Sequence, residues 1–531
     1  MRRWNGWGDD SDNFALTEDA HAFVRERVGE TKPAQDATRE EALRAVPPSR
    51  IGSSNIFLTD AATRLDHARG QSFPDWIAMR AGRMGPFADG IAFPATHDEA
   101  ALALNEAKKI GAIVIPYGGG TSVVGHLNVP AADQPVVNIS LERMDRLTAV
   151  DDTAMLATFG AGTPGPQVEA QLQQHGYLLG HFPQSYEYST IGGWVVTRSS
   201  GQQSYRYGRI ENLFHSGRLI TPRGELSVGS VPASSAGPDL REALMGSEGR
   251  FGLLTEVTAR IRRLPERDDF HAVFFPSWDV GVEAVRALVQ ADVPLSMLRL
   301  SNEIETETQL ALVSSHQNAL KWLQRYLRMR GMDTGQCMLM AGVTGSEKEC
   351  VFSRERMLEI AREHRGVHVG RMMGKSWAKN RFRGPYLRNS LWEAGYAADT
   401  VETCMNWPKV TPLMRAIEQA ARDALAAENE RVHAFTHLSH VYRQGCSIYS
   451  TFVYRSAGSY EADYERWRKL KRLVSETIVA RGGTISHQHG VGADHAPYLA
   501  AEKGALGMDL IRAMAREFDP QGMMNPGKLF V

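Results

Sequence analysis

The hydrophobic pattern changes texture near residue 266. Upstream, "PATHDEAALALNEAKKIG" spaces apolar residues at helical intervals behind Thr96. Thr96 suits an N-cap, and Glu99 completes a capping box. The run "AIVIPY" (112–117) predicts a buried strand, "QPVVNIS" and "AMLATFGAG" predict two more, and Pro164 opens the helix "PGPQVEAQLQQHG". Residues 1–85 read as a polar, irregular lead-in broken at "VPPSRIGSS". Downstream, "HAVFFPS", "LSMLRLS" and "QCMLMAGVTG" alternate with the helical stretches "WDVGVEAVRALVQ", "SSHQNALKWLQRYLRMR" and "EKECVFSRERMLEIAREH". That alternation predicts a mostly antiparallel sheet with helices on one face. "RVHAFTHLSH", "CSIYSTFVY", a long helix around "YERWRKLKRLVSETIVARG" and a Pro/Gly-punctuated tail follow. The fold class is α+β.

Composition narrows the function by exclusion. Lys+Arg 60 against Asp+Glu 61 leaves a net charge of -1, so nothing global steers the protein to nucleic acid or an anionic membrane. No apolar run is long enough to span a bilayer. "MRRWNGWGDDSDNF" lacks the apolar core of a secretory signal, and "GKLFV" is no targeting tripeptide. Cys337, Cys350, Cys404 and Cys446 have neither zinc nor CxxC spacing, and free thiols in a reducing cytoplasm are expected.

Three glycine-rich blocks carry the first chemistry. "IPYGGGTSVVG" (115–125) follows a strand directly. Its backbone N–H groups and two hydroxyls suit either an anion cradle or a tight turn. "STIGGWVVTRSSG" and "MGSEGRFGLLTEV" (245–257) repeat the theme. Several such clamps suit one long cofactor better than one phosphate.

In order and spacing these blocks closely resemble the FAD-binding domain of the vanillyl-alcohol oxidase/p-cresol methylhydroxylase superfamily. The resemblance implies FAD contacts at Pro116, Gly118, Gly119, Gly120, Thr121, Ser122, Ser189, Thr190, Gly192, Gly193, Thr197, Ser200 and Glu248, with Asn525 to Lys528 as a closing motif. It implies a two-part (PCMH-type) FAD-binding domain, residues 86–266 and 482–531, around an inserted cap of residues 267–481, after a lead-in of residues 1–85. The FAD is expected to be non-covalent, since His126, the nearest attachment candidate, reads as a loop histidine.

Trp4 to Gly8 ("WNGWG"), "SMLRLSN", "PYLRNSL", "VETCMNWPKV", "CSIY" and "GGTISHQHGVG" narrow the resemblance to the alkyldihydroxyacetonephosphate synthase family. Such an enzyme exchanges the acyl group of acyl-dihydroxyacetone phosphate for a fatty alcohol through a flavin N5 adduct, with no net redox change. The resemblance implies substrate-binding and catalytic roles for Arg299 and Arg388, since a planar guanidinium suits a phosphate. It implies acid/base work for Tyr449, and proton-handling or orienting roles for His487 and His489. Gln488 departs from the family's three successive histidines. It keeps the hydrogen-bonding shape but shuttles no proton.

The rival is an FAD-linked oxidoreductase acting on a D-2-hydroxy acid such as lactate or glycolate. Its metal ligands would fall at His437, near Tyr449, and at Gln488, so two of three are lost. His433, His437 and His440 would by themselves suggest metal, but on a strand His437 and His440 face opposite sides. The expectations are therefore no catalytic metal, a small-molecule lipid or hydroxy-acid substrate, no nucleic acid, a homodimer, and cytoplasmic location with peripheral membrane contact.

Overall fold

The structure, a computed structural model, describes residues 2–530 apart from 13, 53, 230 and 314–316; the side chains of 313 and 317–319 are also left aside. The helix expected from Ser314 is described as Gln317–Met329, and Ser314, Ser315 and His316 lie outside the described residues.

The first half builds two larger sheets and a two-stranded pair, Tyr177–Leu178 with Arg262–Arg263. One is parallel, with Val136–Ser140 between Gly90–Ala92 and Ile113–Tyr117. Ile113–Tyr117 is buried except at Pro116, as suits a strand covered on both sides. Helix His97–Lys109 lays Ala100, Ala103, Leu104 and Ala107 into the core. Thr96 caps it, accepting from the Glu99 N–H, while the Glu99 carboxylate accepts from Ala95 N at 2.7 Å rather than from Thr96 N. The other sheet is antiparallel, ordered Leu147–Asp151, Leu156–Gly160, Leu253–Arg260, Phe214–Thr221 and Gly224–Val228.

The chain end returns to the parallel sheet. Val114 N donates to Met523 O and Asn525 N donates to Val114 O, both at 2.8 Å, along the outer edge of Ile113–Tyr117. Met524 is fully buried there.

The second half forms an antiparallel sheet of seven strands. Its order is Val367–His368, Arg267–Phe275, Cys337–Gly345, Met297–Ser301, His433–Leu438, Gly445–Arg455 and Tyr396–Asn406. Side chains alternate across it. Cys337, Leu339, Ala341 and Val343 enter a core shared with helices Trp278–Gln290, Glu347–Glu363, Trp407–Ala426 and Tyr460–Ala480. Met338 and Met340, from the same strand, line a cavity on the opposite face. In Gly445–Arg455, Ile448, Phe452 and Tyr454 belong to the core, and Tyr449, Thr451 and Val453 to the cavity.

The lead-in departs from expectation. It carries four helices, Glu18–Val28, Arg39–Arg44, Ala61–Asp66 and Phe73–Arg80, capped by Thr17, Thr38, Asp60 and Ser72. The first three bury few residues each, so their apolar period is weak. Phe73, Trp76 and Ile77 of the fourth join the core of the seven-stranded sheet. Trp7 is fastened to Asn389, whose amide donates to Trp7 O at 2.7 Å and accepts from Trp7 N at 3.2 Å.

The tail pairing predicts that Met524→Ala costs about 2–5 kcal/mol, as large-to-small changes in a buried site do. A lowered urea midpoint with an unchanged slope is the expected readout.

Candidate active site

Strand Ile113–Tyr117 delivers its glycine loop into the wall of a cavity of about 1160 Å³. All thirteen residues named as FAD contacts line this cavity. The loop packs directly on neighbouring main chain, and a Cβ on Gly119 would lie 1.8 Å from Tyr188 O. Gly120 has φ +68°, the left-handed region that favours glycine. Thr190 caps Ile191–Thr197 by accepting from Gly193 N at 3.3 Å. Ser189 Oγ accepts from Trp194 Nε1 at 2.7 Å.

Glu248 is a clip in this wall. Its carboxylate accepts from Val491 N at 2.6 Å and Gly492 N at 2.7 Å, and lies 2.9 Å from His126 Nε2. Asn525 donates to its carbonyl at 2.9 Å. The third glycine loop and the C-terminal segment are thus fastened together. His126 Nδ1 meets Ser122 Oγ at 2.7 Å, so both ring nitrogens have neighbours.

The walls fit a long polar cofactor. Gln71 Oε1, Ser200 Oγ, Asn525 Oδ1 and Arg388 Nε and Nη2 are buried without a protein partner, and all four residues line the cavity. An unpaired buried polar group costs about 1–3 kcal/mol. Four such residues along one cavity are the mark of a site that pairs with a ligand.

Beyond the cradle, His437, Tyr449 and Glu402 are Cα partners in one row across three adjacent strands. The rings of His437 and Tyr449 stack at 4.8 Å and 18°, and His489 stands edge-on to Tyr449 at 6.0 Å. Burial pushes the Tyr449 phenol up to about 12, so at neutral pH it holds its proton. Burial lowers the His489 imidazole, which favours its neutral form.

The two arginines have different surroundings. Arg299 Nη2 is 2.6 Å from Glu305 Oε1, and His437 Nδ1 is 2.9 Å from the same oxygen. Burial alone would raise the Glu305 carboxyl, but Arg299 and His437 prevail and hold it at about 2. Arg388 is buried under Phe73 and Trp76, with its charge 4.6 Å from the Trp76 ring, and donates only to Gln71 O at 2.7 Å. Among the described residues no carboxylate pairs with it.

Behind the cavity lies a network around Glu402. Its carboxylate accepts from Gln488 Nε2 and lies 3.1 Å from His487 Nδ1, 3.4 Å from Ser439 Oγ and 3.9 Å from His440 Nε2. Burial opposes its charge, but His487 and its neighbours hold the carboxyl well below the usual range. The ligand atoms of Glu402, His440 and His487 all lie within 4.8 Å of one another, close enough for a metal. The donor set argues otherwise. Arg209 Nη1 and Tyr442 OH both approach His487 Nε2 at 2.7 Å, and Arg209 also donates to His487 O at 3.0 Å. A guanidinium only donates, so Nε2 carries the lone pair and Nδ1 the proton. Nδ1 thus offers Glu402 an N–H and offers a cation no lone pair.

Two expectations need correction. His487 does not line the main cavity; it lines a second one, of about 500 Å³, with Arg209 and Gln488. Its two ring nitrogens are spent on Glu402 and on the Arg209–Tyr442 pair, which hold it behind the wall. His437 and His440 both reach the main cavity rather than opposite faces. The strand ends at Leu438, so the alternation rule does not extend to His440. His433 also lines the cavity, with Nε2 at 2.9 Å from Thr308 Oγ1.

Glu305, Glu402, Arg209 and Tyr442 went unnoticed in the sequence. Glu402 had a usable signal, because a carboxylate between Val401 and Thr403 in the strand "YAADTVETCMN" needs a partner if it is buried. Glu305, in an acidic first helical turn, looks like ordinary dipole chemistry.

Known proteins resemble the chain along its whole length. Residues 88–229 match a family model described as FAD binding domain, and residues 264–529 one described as FAD linked oxidases, C-terminal domain. The alkyldihydroxyacetonephosphate synthase of Trypanosoma brucei brucei is 29% identical over 99% of this chain and 92% of its own length. A solved alkyldihydroxyacetonephosphate synthase structure superposes with TM-score 0.85 at 25% identity, covering 99% of this chain and 98% of that one. The mitochondrial D-lactate dehydrogenase [cytochrome] of Arabidopsis thaliana is 24% identical over 83% of this chain and 73% of its own length.

Purified wild type is expected to be yellow and to release FAD on denaturation. Gly119→Ala should remain folded by circular dichroism yet lose most of its flavin absorbance, because the added methyl would overlap the Tyr188 carbonyl.

Proposed function

Because this chain belongs to the FAD-linked oxidase family, we propose that it uses FAD to exchange the acyl group of acyl-dihydroxyacetone phosphate for a fatty alcohol, yielding an ether. The observation that carries the reading is one cavity with two unlike kinds of lining around Tyr449. One is Arg388, a buried cation in contact with no carboxylate among the described residues. The other is an apolar set, Leu310, Leu320, Leu323, Met338, Met340 and Met373. A phosphate with a long chain attached matches both.

In this reading residues 86–266 and 482–531 bind FAD, and residues 267–481 shape the substrate site. Bound FAD supplies the electrophile. The carbon–oxygen bond to the carboxylate breaks, a bond to the alcohol oxygen forms, and the alcohol proton leaves, with no net oxidation. Arg388 neutralises the phosphate. Arg299, already tied to Glu305, holds His437 against the Tyr449 ring and adds a second, weaker positive charge. Tyr449, protonated at rest, gives its proton to the departing carboxylate and takes the alcohol proton in return, with His489 edge-on beside its ring.

The hydroxy-acid alternative has less support. Its metal would need ligands where Tyr449 and Gln488 stand, and its relatives match less of the chain at lower identity.

Peripheral membrane contact is part of the proposal. Beside the apolar set, Gln317–Met329 exposes Trp322 and Met329 among Lys321, Arg325 and Arg328, a pairing that suits a lipid surface. No helix among the described residues is long and apolar enough to cross a membrane. A homodimer is part of the proposal, as is a cytoplasmic location, which the four free cysteines suit.

The test is incubation with acyl-dihydroxyacetone phosphate and labelled fatty alcohol. Labelled ether is expected without flavin bleaching; no ether, together with bleaching by D-lactate, would sink the reading. Tyr449→Phe should keep FAD and lose about 10²–10⁴-fold in turnover, the range for a positioned proton carrier. Arg388→Met should raise KM for the phosphate substrate at least tenfold, by loss of a charge-assisted contact, while FAD stays bound.

A further inference from the structure

Gln488 is at once part of the main cavity wall and part of the Glu402 network. Glu402 is fully desolvated at its side chain and accepts only; its other near neighbours are the His487 ring, the Ser439 hydroxyl and, further off, His440. An amide facing a carboxylate must turn its nitrogen to it. One Gln488 N–H is therefore spent on Glu402, which turns the amide oxygen away from the carboxylate; no hydrogen bond among the described residues reaches that oxygen, and it is the acceptor left for the cavity.

We propose that Gln488, oriented by Glu402, presents an acceptor oxygen that receives the hydroxyl of the incoming alcohol and turns away the carboxylate of the departing fatty acid. The inference rests on the ether-forming reading. In that reaction two long-chain molecules contend for the same apolar lining and differ only at their polar ends. An alcohol has an O–H to donate. A fatty acid anion has only acceptors, and it would meet an amide oxygen backed by the buried charge of Glu402. Discrimination of this sort comes from leaving the wrong ligand's polar group unpaired as much as from rewarding the right one. A histidine here would lack this bias, since a protonated imidazole binds a carboxylate well. Glu402 is then a positioning residue acting through Gln488.

The test uses the full chain loaded with FAD, dodecanol and dodecanoate as probes, and flavin absorbance change as the binding signal, at about pH 8 so that the acid is ionised. Wild type is expected to bind the alcohol about tenfold tighter than the acid, the worth of one hydrogen bond plus a repulsion. Gln488→Leu should lose about tenfold for dodecanol and leave dodecanoate little changed. Gln488→His, assayed at about pH 6, should favour dodecanoate. Glu402→Gln should narrow the preference, and Glu402→Gln with Gln488→Leu should be no worse for dodecanol than Gln488→Leu alone. Additive losses, or Gln488→Leu with wild-type dodecanol affinity, overturn the proposal even in an enzyme that makes ether. Wild type that binds neither probe overturns it together with the reading beneath it. Should Glu402→Gln fail to fold, the two Gln488 variants decide alone.

Discussion

A β-sheet has two faces, and the seven-stranded sheet seals only one of them along its whole width with its own helices. That constraint arranges the rest. Leu339, Ile448 and Phe452 are sealed beneath Trp407–Ala426 and its neighbours, so the alternate residues of the same strands must find other cover. Phe270, Met338 and Met340 find it under Gln317–Met329 and Met372–Asn380, while Tyr449 and Thr451 face a cavity that the glycine loops wall on its other side. The gap between the two halves is the cavity. Residues at both ends of the chain close it, Trp7 through Asn389 and Asn525 through Glu248.

The buried charges follow a division of labour. Glu305 and Glu402 are both desolvated, and each is kept ionised by basic neighbours. Neither lies where the phosphate is expected. Each instead orients a cavity residue, Arg299 and His437 in one case, Gln488 in the other. Arg388 is the exception, buried against aromatic rings with no carboxylate in contact among the described residues. Burying an unpaired cation is costly, and a ligand phosphate would relieve that cost.

How far the sequence foretold this depended on the range of each signal. Glycine loops are local, since close approach and positive φ are written into one residue, and all the loop positions reach the cavity. Strand alternation separated Leu339 from Met340 because both lie well inside a strand. The same rule failed at His440, one step past a strand end that the sequence does not mark. Three of the four lead-in helices leave little trace in the sequence because helices with one to three buried residues have almost no period; the fourth, Phe73–Arg80, is buried nearly all round and so shows no polar face either. The Glu402 network was invisible for a different reason. Arg209, Glu402, Tyr442 and His487 come from four distant segments, and only the completed fold brings them together. His487 was placed at the chemistry by its neighbour His489, yet adjacent residues in an irregular segment point to different cavities.

The final residues pair with the outer edge of Ile113–Tyr117. During synthesis that strand leaves the ribosome roughly four hundred residues before its partner, at about 5–20 residues per second. For tens of seconds the nascent chain carries an apolar strand with an open edge, a template for any passing β-segment. Until Met523–Asn525 emerge, the glycine loop hangs from an incomplete sheet. Cofactor loading thus waits on that late segment, and crowded expression is most hazardous before it has been made.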